Sequence, residues 1–236
     1  MNSPDNERGF LLDHAGITIS RINPRPGEYL IIPDAPLDPN PASRPTPHRA
    51  IIDSGVMNHH PQLRGLVAAE RDFTGEGPED RIGHGTVVAL IAVASQYRVA
   101  QPLPASFSEP RISLLSAKVA DSQGRIKKQH VIEAIRWAAE QGARVVNLSL
   151  GFRGRPDQHR DLCAAISDCE EVFFVAAAGN FGPSVTLYPA GCAAGNLISV
   201  GAIDAAGQVA GYSGQGDVYA VGDVYLTLAR VDDPDR

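Results

Sequence analysis

The run Val172-Phe173-Phe174-Val175-Ala176-Ala177 contains no polar residue and is followed by Ala178-Gly179-Asn180. A strand with one face in water alternates apolar and polar side chains, so this run reads as a strand covered on both faces. Strands of that kind belong to parallel sheets, whose crossover helices cover both sides. The rest of the chain supplies the alternation such a sheet needs. Ala50-Ile51-Ile52 and residues 112–119, 144–150, 197–203 and 218–221 read as further strands. Between them, residues 85–95 are apolar nearly all round, as a buried helix is. Residues 129–141 carry Val131, Ile135 and Ala138 as a helical stripe, and Gly142 supplies a stop. Residues 158–167 read as a third helix. Strands alternating with helices predict right-handed crossovers and a three-layer α/β/α domain with a mostly parallel sheet.

Residues 1–48 read differently. Eight prolines fall between Pro24 and Pro47. Proline lacks a backbone donor and fixes φ, so this stretch predicts an extended arm, with Tyr29-Leu30-Ile31-Ile32 as a short edge strand or surface-packed segment. A propeptide role is conceivable for it. The α/β domain is expected over residues 49–236.

Composition excludes several classes. A net charge of −6 with scattered basic residues lacks the clustered Lys and Arg of a nucleic-acid footprint. No apolar run reaches the roughly 18 residues that span a bilayer, so no membrane partner is expected. The polar first residues lack a signal-peptide pattern, which predicts a cytoplasmic location. The three cysteines, Cys163, Cys169 and Cys192, are too few and too oddly numbered for a disulfide framework and read as small buried hydrophobes. Cys163 and Cys169 would be the pair to bridge in an exported protein. None of the three stands in Cys-x-x-Cys spacing, so zinc is not expected; no other metal site and no cofactor is expected either.

The chemistry lies at three element boundaries. Asp53 ends one buried strand, His84 opens the apolar helix, and Asn180 follows another buried strand. In open α/β sheets ligands bind beyond the carboxyl ends of the strands, so these groups are expected on one rim. A hydroxyl is a weak nucleophile at neutral pH and needs a base, which in turn needs a partner that fixes its tautomer. His84 suits the base because imidazole titrates near neutrality. Asp53 suits the orienting carboxylate, and the Asn180 amide suits a donor to an oxyanion. Gly83 and Gly85 would let a substrate backbone approach the imidazole.

Taken together, these stretches resemble the subtilase family of serine peptidases. Ile51-Ile52-Asp53-Ser54-Gly55-Val56 resembles the family's aspartate motif and Gly83-His84-Gly85-Thr86-Val87-Val88-Ala89 its histidine motif. Val175-Ala176-Ala177-Ala178-Gly179-Asn180 resembles the oxyanion motif, and Val145-Val146-Asn147-Leu148-Ser149-Leu150-Gly151 the strand lining the substrate cleft. Ala117-Lys118-Val119, with Gly124 after it, resembles the opposite cleft edge. Tyr188-Pro189-Ala190, Ile198-Ser199-Val200-Gly201-Ala202 and Tyr212-Ser213-Gly214-Gln215-Gly216 follow the family's later landmarks. The order aspartate, histidine, serine is that of subtilisin.

The resemblance implies a serine endopeptidase that cuts protein or peptide substrates. Asp53, His84 and Asn180 would be its catalytic residues. Ser149, Leu150, Gly151, Ala178 and Gly179 would bind substrate, and calcium is a possible support by resemblance only. The family's nucleophile stands in a Gly-Thr-Ser-x-Ala motif that opens a central helix. After Asn180 the chain has only Ser184, Ser199 and Ser213, and none follows Gly-Thr. The expectation is therefore a subtilase domain truncated at its C-terminus, whose serine segment lies on sequence outside residues 1–236. A non-catalytic peptide-binding module is the alternative. Oligomeric state is not indicated.

Overall fold

The computed structural model describes residues 8–11, 28–31, 48–94, 113–204, 206–222 and 227–230. The prolines of the arm lie outside them. In chain order the elements are β1 Arg8–Leu11, β2 Glu28–Ile31, β3 His48–Asp53, β4 Val67–Asp72, α1 His84–Ala94, β5 Ser113–Lys118, β6 Arg125–Lys127 and α2 Lys128–Glu140. They continue as β7 Ala143–Leu148, β8 Leu150–Gly151, α3 Arg160–Ser167, β9 Phe173–Ala177, β10 Leu197–Ile203, β11 Val218–Val221 and β12 Thr227–Arg230.

The main sheet has seven strands in the order β11-β10-β9-β7-β3-β5-β4. Every neighbouring pair in it is parallel. The period of two along β3 sorts its side chains into two cores. Ala50 and Ile52 join the cluster that contains α2 and α3. Ile51 joins the smaller cluster that contains α1. The helices thus lie on opposite faces, and the three-layer architecture is the one the alternation predicts. The α2 layer is held by apolar burial at Val131, Ile132, Ala134, Ile135 and Ala138, and a large aliphatic side chain buried this way contributes about 1.5–3 kcal/mol.

The strand that opened the sequence reading departs from it. In β9 the residues alternate between buried and partly exposed, and Phe173 is 44% exposed. Among the described residues, no helix covers that side of β9 and β10, where Val175 and Ala177 are partly buried. Residues 144–150, expected as one strand, divide into β7 and β8. Residues 158–167 divide into a 3₁₀ turn, Pro156–His159, and α3. Strands β4 and β6 had no expectation.

Two smaller sheets involve the arm. Strand β2 pairs antiparallel with β12, which places a strand at Glu28–Ile31 of the segment expected to be extended. Ile32 of that segment lies outside the described residues. Strand β1 lies between β6 and β8. The cysteine expectation is corrected: Cys163 at α3 bonds to Cys192, with Cα atoms 5.4 Å apart, and Cys169 is the free thiol. Helix α3 and the loop before β10 face each other across the edge of the larger core, whereas Cys169 sits past the end of α3.

Candidate active site

Strand β3 ends in Asp53, and its alternation decides where that carboxylate points. Ile51 faces the α1 layer, so Asp53, two residues on, faces it too. Helix α1 begins at His84 on that layer. The two side chains meet: His84 Nδ1 lies 2.7 Å from Asp53 Oδ1 and 2.9 Å from Oδ2. Both residues are buried. A carboxylate only accepts, so Nδ1 carries the proton it donates, and Nε2 is the basic nitrogen. Asp53 is further fixed by the Ser54 backbone N–H, which donates to Oδ1 at 2.6 Å.

A residue that sequence reasoning passed over holds this pair in place. Asp80 is buried in the turn before α1. It accepts from the backbone N–H groups of Ile82, Gly83 and Thr86 at 3.1, 2.8 and 2.9 Å. It also accepts from the hydroxyls of Ser54 at 2.9 Å and Thr86 at 2.6 Å. Among them the Thr86 N–H is an orphan donor of the first turn of α1, met by a carboxylate on the favourable end of the helix dipole. Ser54 in turn accepts from the Gly85 N–H at 2.9 Å. The end of β3 and the start of α1 are therefore tied through one carboxylate. The signal was present as an Asp shortly before an apolar helix.

Gly85 has a use other than the expected one. A Cβ there would stand 2.1 Å from the Gly55 carbonyl oxygen and 3.1 Å from Asp53 Oδ1. The missing side chain lets α1 approach β3, which is what brings imidazole and carboxylate together. Gly55 itself has φ of +103°. Lys118, at the end of β5 in register with Asp53, is buried along its whole length and donates from Nζ to the Glu79 carbonyl at 2.7 Å. It anchors the turn that carries Asp80.

The oxyanion candidate lies on the same rim. Asn180 stands just beyond the carboxyl end of β9, which is separated from β3 only by β7. The segment leading to it is fixed by the Ala178 N–H donating to Val200 O at 2.9 Å and the Gly214 N–H donating to Gly179 O at 2.8 Å. Gly179 has φ of +107°, and a Cβ on it would stand 2.5 Å from Leu187 Cδ1. The expected substrate strand, Ser149-Leu150-Gly151, continues from β7, and all three residues are buried. Ser149 Oγ accepts from Asn147 Nδ2 at 2.8 Å. Behind it Phe152 exchanges two backbone bonds with Tyr188 at 2.8 and 3.0 Å.

The serines after Asn180 are engaged elsewhere. Ser199 Oγ donates to Asp217 Oδ2 at 2.7 Å, and Ser213 Oγ donates to the Gly214 carbonyl at 2.8 Å. Ser184 is exposed in the loop after Asn180. No group of three or more His, Cys, Asp or Glu side chains among the described residues is arranged to hold a metal ion.

Sequence reasoning also passed over His159, which is fully buried behind the cleft strand. Its ring stacks on Tyr188 with centroids 4.5 Å apart. Nε2 donates to the Arg153 carbonyl at 3.1 Å, while Nδ1 has no hydrogen-bond partner among the described residues. Burial pushes its pKa below the usual imidazole range, against the opposing pull of the Arg153 carbonyl.

The subtilase family profile matches residues 50–229, and the chain belongs to that family. It is 35% identical over 185 residues to a thermophilic serine proteinase of Bacillus sp. strain AK1, covering 76% of this chain and 45% of that protein. It is 34% identical over 175 residues to thermitase of Thermoactinomyces vulgaris, covering 73% of this chain and 60% of that protein. The chain thus spans about half the length of these relatives. Among solved structures, the epidermin leader peptide processing serine protease of Staphylococcus aureus shares the fold at a TM-score of 0.56 and 23% identity, over 74% of this chain and 51% of that one. The prenylagaramide maturation protease PagA matches at a TM-score of 0.52 and 28% identity, over 72% and 58%.

Proposed function

We propose that this chain carries the acid–base and oxyanion side of a serine endopeptidase that hydrolyses peptide bonds in proteins. The observation that supports it most is the buried His84–Asp53 pair, with Nδ1 held at 2.7 Å by a carboxylate. That bond selects the tautomer in which Nε2 accepts a proton. In the proposed reaction Nε2 takes the proton from a serine hydroxyl as that oxygen attacks the scissile carbonyl. It then returns the proton to the leaving amine. Asp53 stabilises the imidazolium between those steps. The Asn180 amide donates to the oxygen that becomes negative, and Leu150 and Gly151 align the peptide by backbone pairing. The serine comes from sequence outside residues 1–236, either further along one polypeptide or on a second one.

A fluorophosphonate probe tests this directly. In a protein that joins this chain to a Gly-Thr-Ser-x-Ala segment, labelling is expected on that serine and is lost in His84→Ala. Labelling of residues 1–236 alone, or labelling that survives His84→Ala at an undiminished rate, would overturn the assignment.

A further inference from the structure

Two segments frame the place where the proposed function puts a peptide, residues 149–151 and residues 178–180. The first continues through Phe152 to Arg153, and the second continues to Phe181. Their continuations touch. The Arg153 guanidinium carbon lies 4.1 Å from the centroid of the Phe181 ring. A cation held over an aromatic face at that distance is attracted by the ring quadrupole. The pair bridges the end of the substrate strand and the end of the oxyanion segment, two residues from Gly151 and one from Asn180.

The backbone sets Arg153 in that position. The buried His159 ring donates from Nε2 to the Arg153 carbonyl at 3.1 Å. Gly154 permits this approach, because a Cβ on it would stand 2.6 Å from the same nitrogen. The following turn is closed by the Arg155 N–H, which donates to Gln158 Oε1 at 2.8 Å. Arg155 is paired with Asp157 at 3.1 Å, whereas among the described residues no carboxylate pairs with Arg153. Both Arg153 and Phe181 are exposed, so a ligand can reach them.

A guanidinium carries five N–H donors and no acceptor. Resting on a ring engages its face and leaves in-plane donors for a planar acceptor, and a carboxylate matches that fork with two oxygens. The ring also restrains the guanidinium, so less side-chain freedom is lost when the acceptor arrives. A side-chain amide offers one oxygen without charge, and an ammonium is repelled. We infer that Arg153, held over Phe181, is a specificity-determining residue of the cleft that selects peptides with an Asp or Glu side chain at this place. This rests on reading residues 149–151 and Asn180 as the peptide site.

The test uses the 236-residue chain and N-acetylated, C-amidated alanine-rich peptides that carry one Glu, Gln or Lys and a common fluorophore. Blocking the termini makes that side chain the charge that varies, and a uniform host lets it slide into register. Strand β1 pairs with β8 and competes with all three peptides alike, so the ratios of their affinities are the readout. By fluorescence anisotropy the Glu peptide should bind about fivefold more tightly than the Gln peptide, the upper scale of an exposed ion pair. Arg153→Gln should bring that ratio to about one, and Arg153→Glu should reverse the order in favour of the Lys peptide. A photoreactive group beside the Glu should crosslink to residues 149–153 or 178–181. Equal affinity for the Glu and Gln peptides in the parent chain, or a Glu preference that survives Arg153→Gln, would overturn the inference and leave the peptide site standing. Crosslinks confined to other segments, or no binding of any peptide up to about 1 mM, would overturn both.

Discussion

Asp80→Ala is the perturbation that asks most of this structure. The carboxylate receives five hydrogen bonds, and their environments differ. The Ile82 and Gly83 N–H groups are partly exposed, so water replaces their partner at little cost. The Ser54 hydroxyl and both the hydroxyl and the N–H of Thr86 are buried and lose a charged acceptor. A buried donor left unpaired costs about 1–3 kcal/mol, and loss of a carboxylate at a helix N-terminus costs up to about 1 kcal/mol more. Together the change should lower unfolding free energy by about 4 kcal/mol, a large share of the roughly 5–15 kcal/mol typical of a domain. Urea titration at pH 7 of the serine-complete protein measures it. Asp80→Asn separates hydrogen bonding from shape: its NH₂ would face donors, so it should recover no more than about half of the loss. A cost below about 1 kcal/mol for Asp80→Ala, or full recovery by Asp80→Asn, would refute the view that this carboxylate ties β3 to α1.

Other expectations concern the chemistry and the packing. In the serine-complete peptidase, Asp53→Asn should lower kcat by about 10⁴-fold, the scale seen when the orienting carboxylate of a serine triad is removed, with KM little changed. Asn180→Ala should lower kcat by about 100- to 1000-fold, the loss measured for the oxyanion asparagine of subtilisin itself. His159 is buried with a lowered pKa, so the unfolded chain binds its proton first as pH falls. Its contribution to stability is therefore full above the unfolded value of about 6.5 and declines as pH drops toward the folded value, and His159→Phe should flatten the pH dependence of the urea midpoint in that window. Thiol titration in denaturant should find one reactive thiol, Cys169, without reductant and three with it. Replacing Cys163 and Cys192 by serine should cost about 3–4 kcal/mol, from the loop they close.

The parts of the site legible in the sequence were those that fall at element boundaries. Asp53 ends an apolar run and His84 begins one, so each could be placed on the rim before any geometry was known. Asp80 was hidden because Glu79, Asp80 and Arg81 read as an ordinary charged turn, although Asp80 alone of the three is buried. Its burial depends on α1 folding back over β3, a tertiary event with no local period. Strand β4 was missed because only one of its faces packs, and Glu70, Arg71 and Asp72 make it look like a loop. The outer side of β9 was misread because apolarity reports what a strand can tolerate, while coverage depends on which elements pack against it. Cysteine order along the chain cannot choose a partner, and Cys192 is brought to Cys163 by a loop of irregular backbone. Strand β1 is only four residues long and takes its conformation from β6 and β8 rather than from its own pattern.

Among the described residues strand β11 stands at one edge of the main sheet, and all four of its residues are exposed. Val218, Tyr219 and Val221 are 43%, 40% and 63% accessible, and Asp217 just before them is taken up by Ser199. Among the described residues no strand pairs with its outer side, and an edge with apolar side chains is a template for strand addition. Colloidal behaviour should therefore be governed at this edge rather than at the rim. Light scattering that rises with concentration, and falls when Val221 is changed to lysine, is the laboratory signature of an edge built without a gatekeeper.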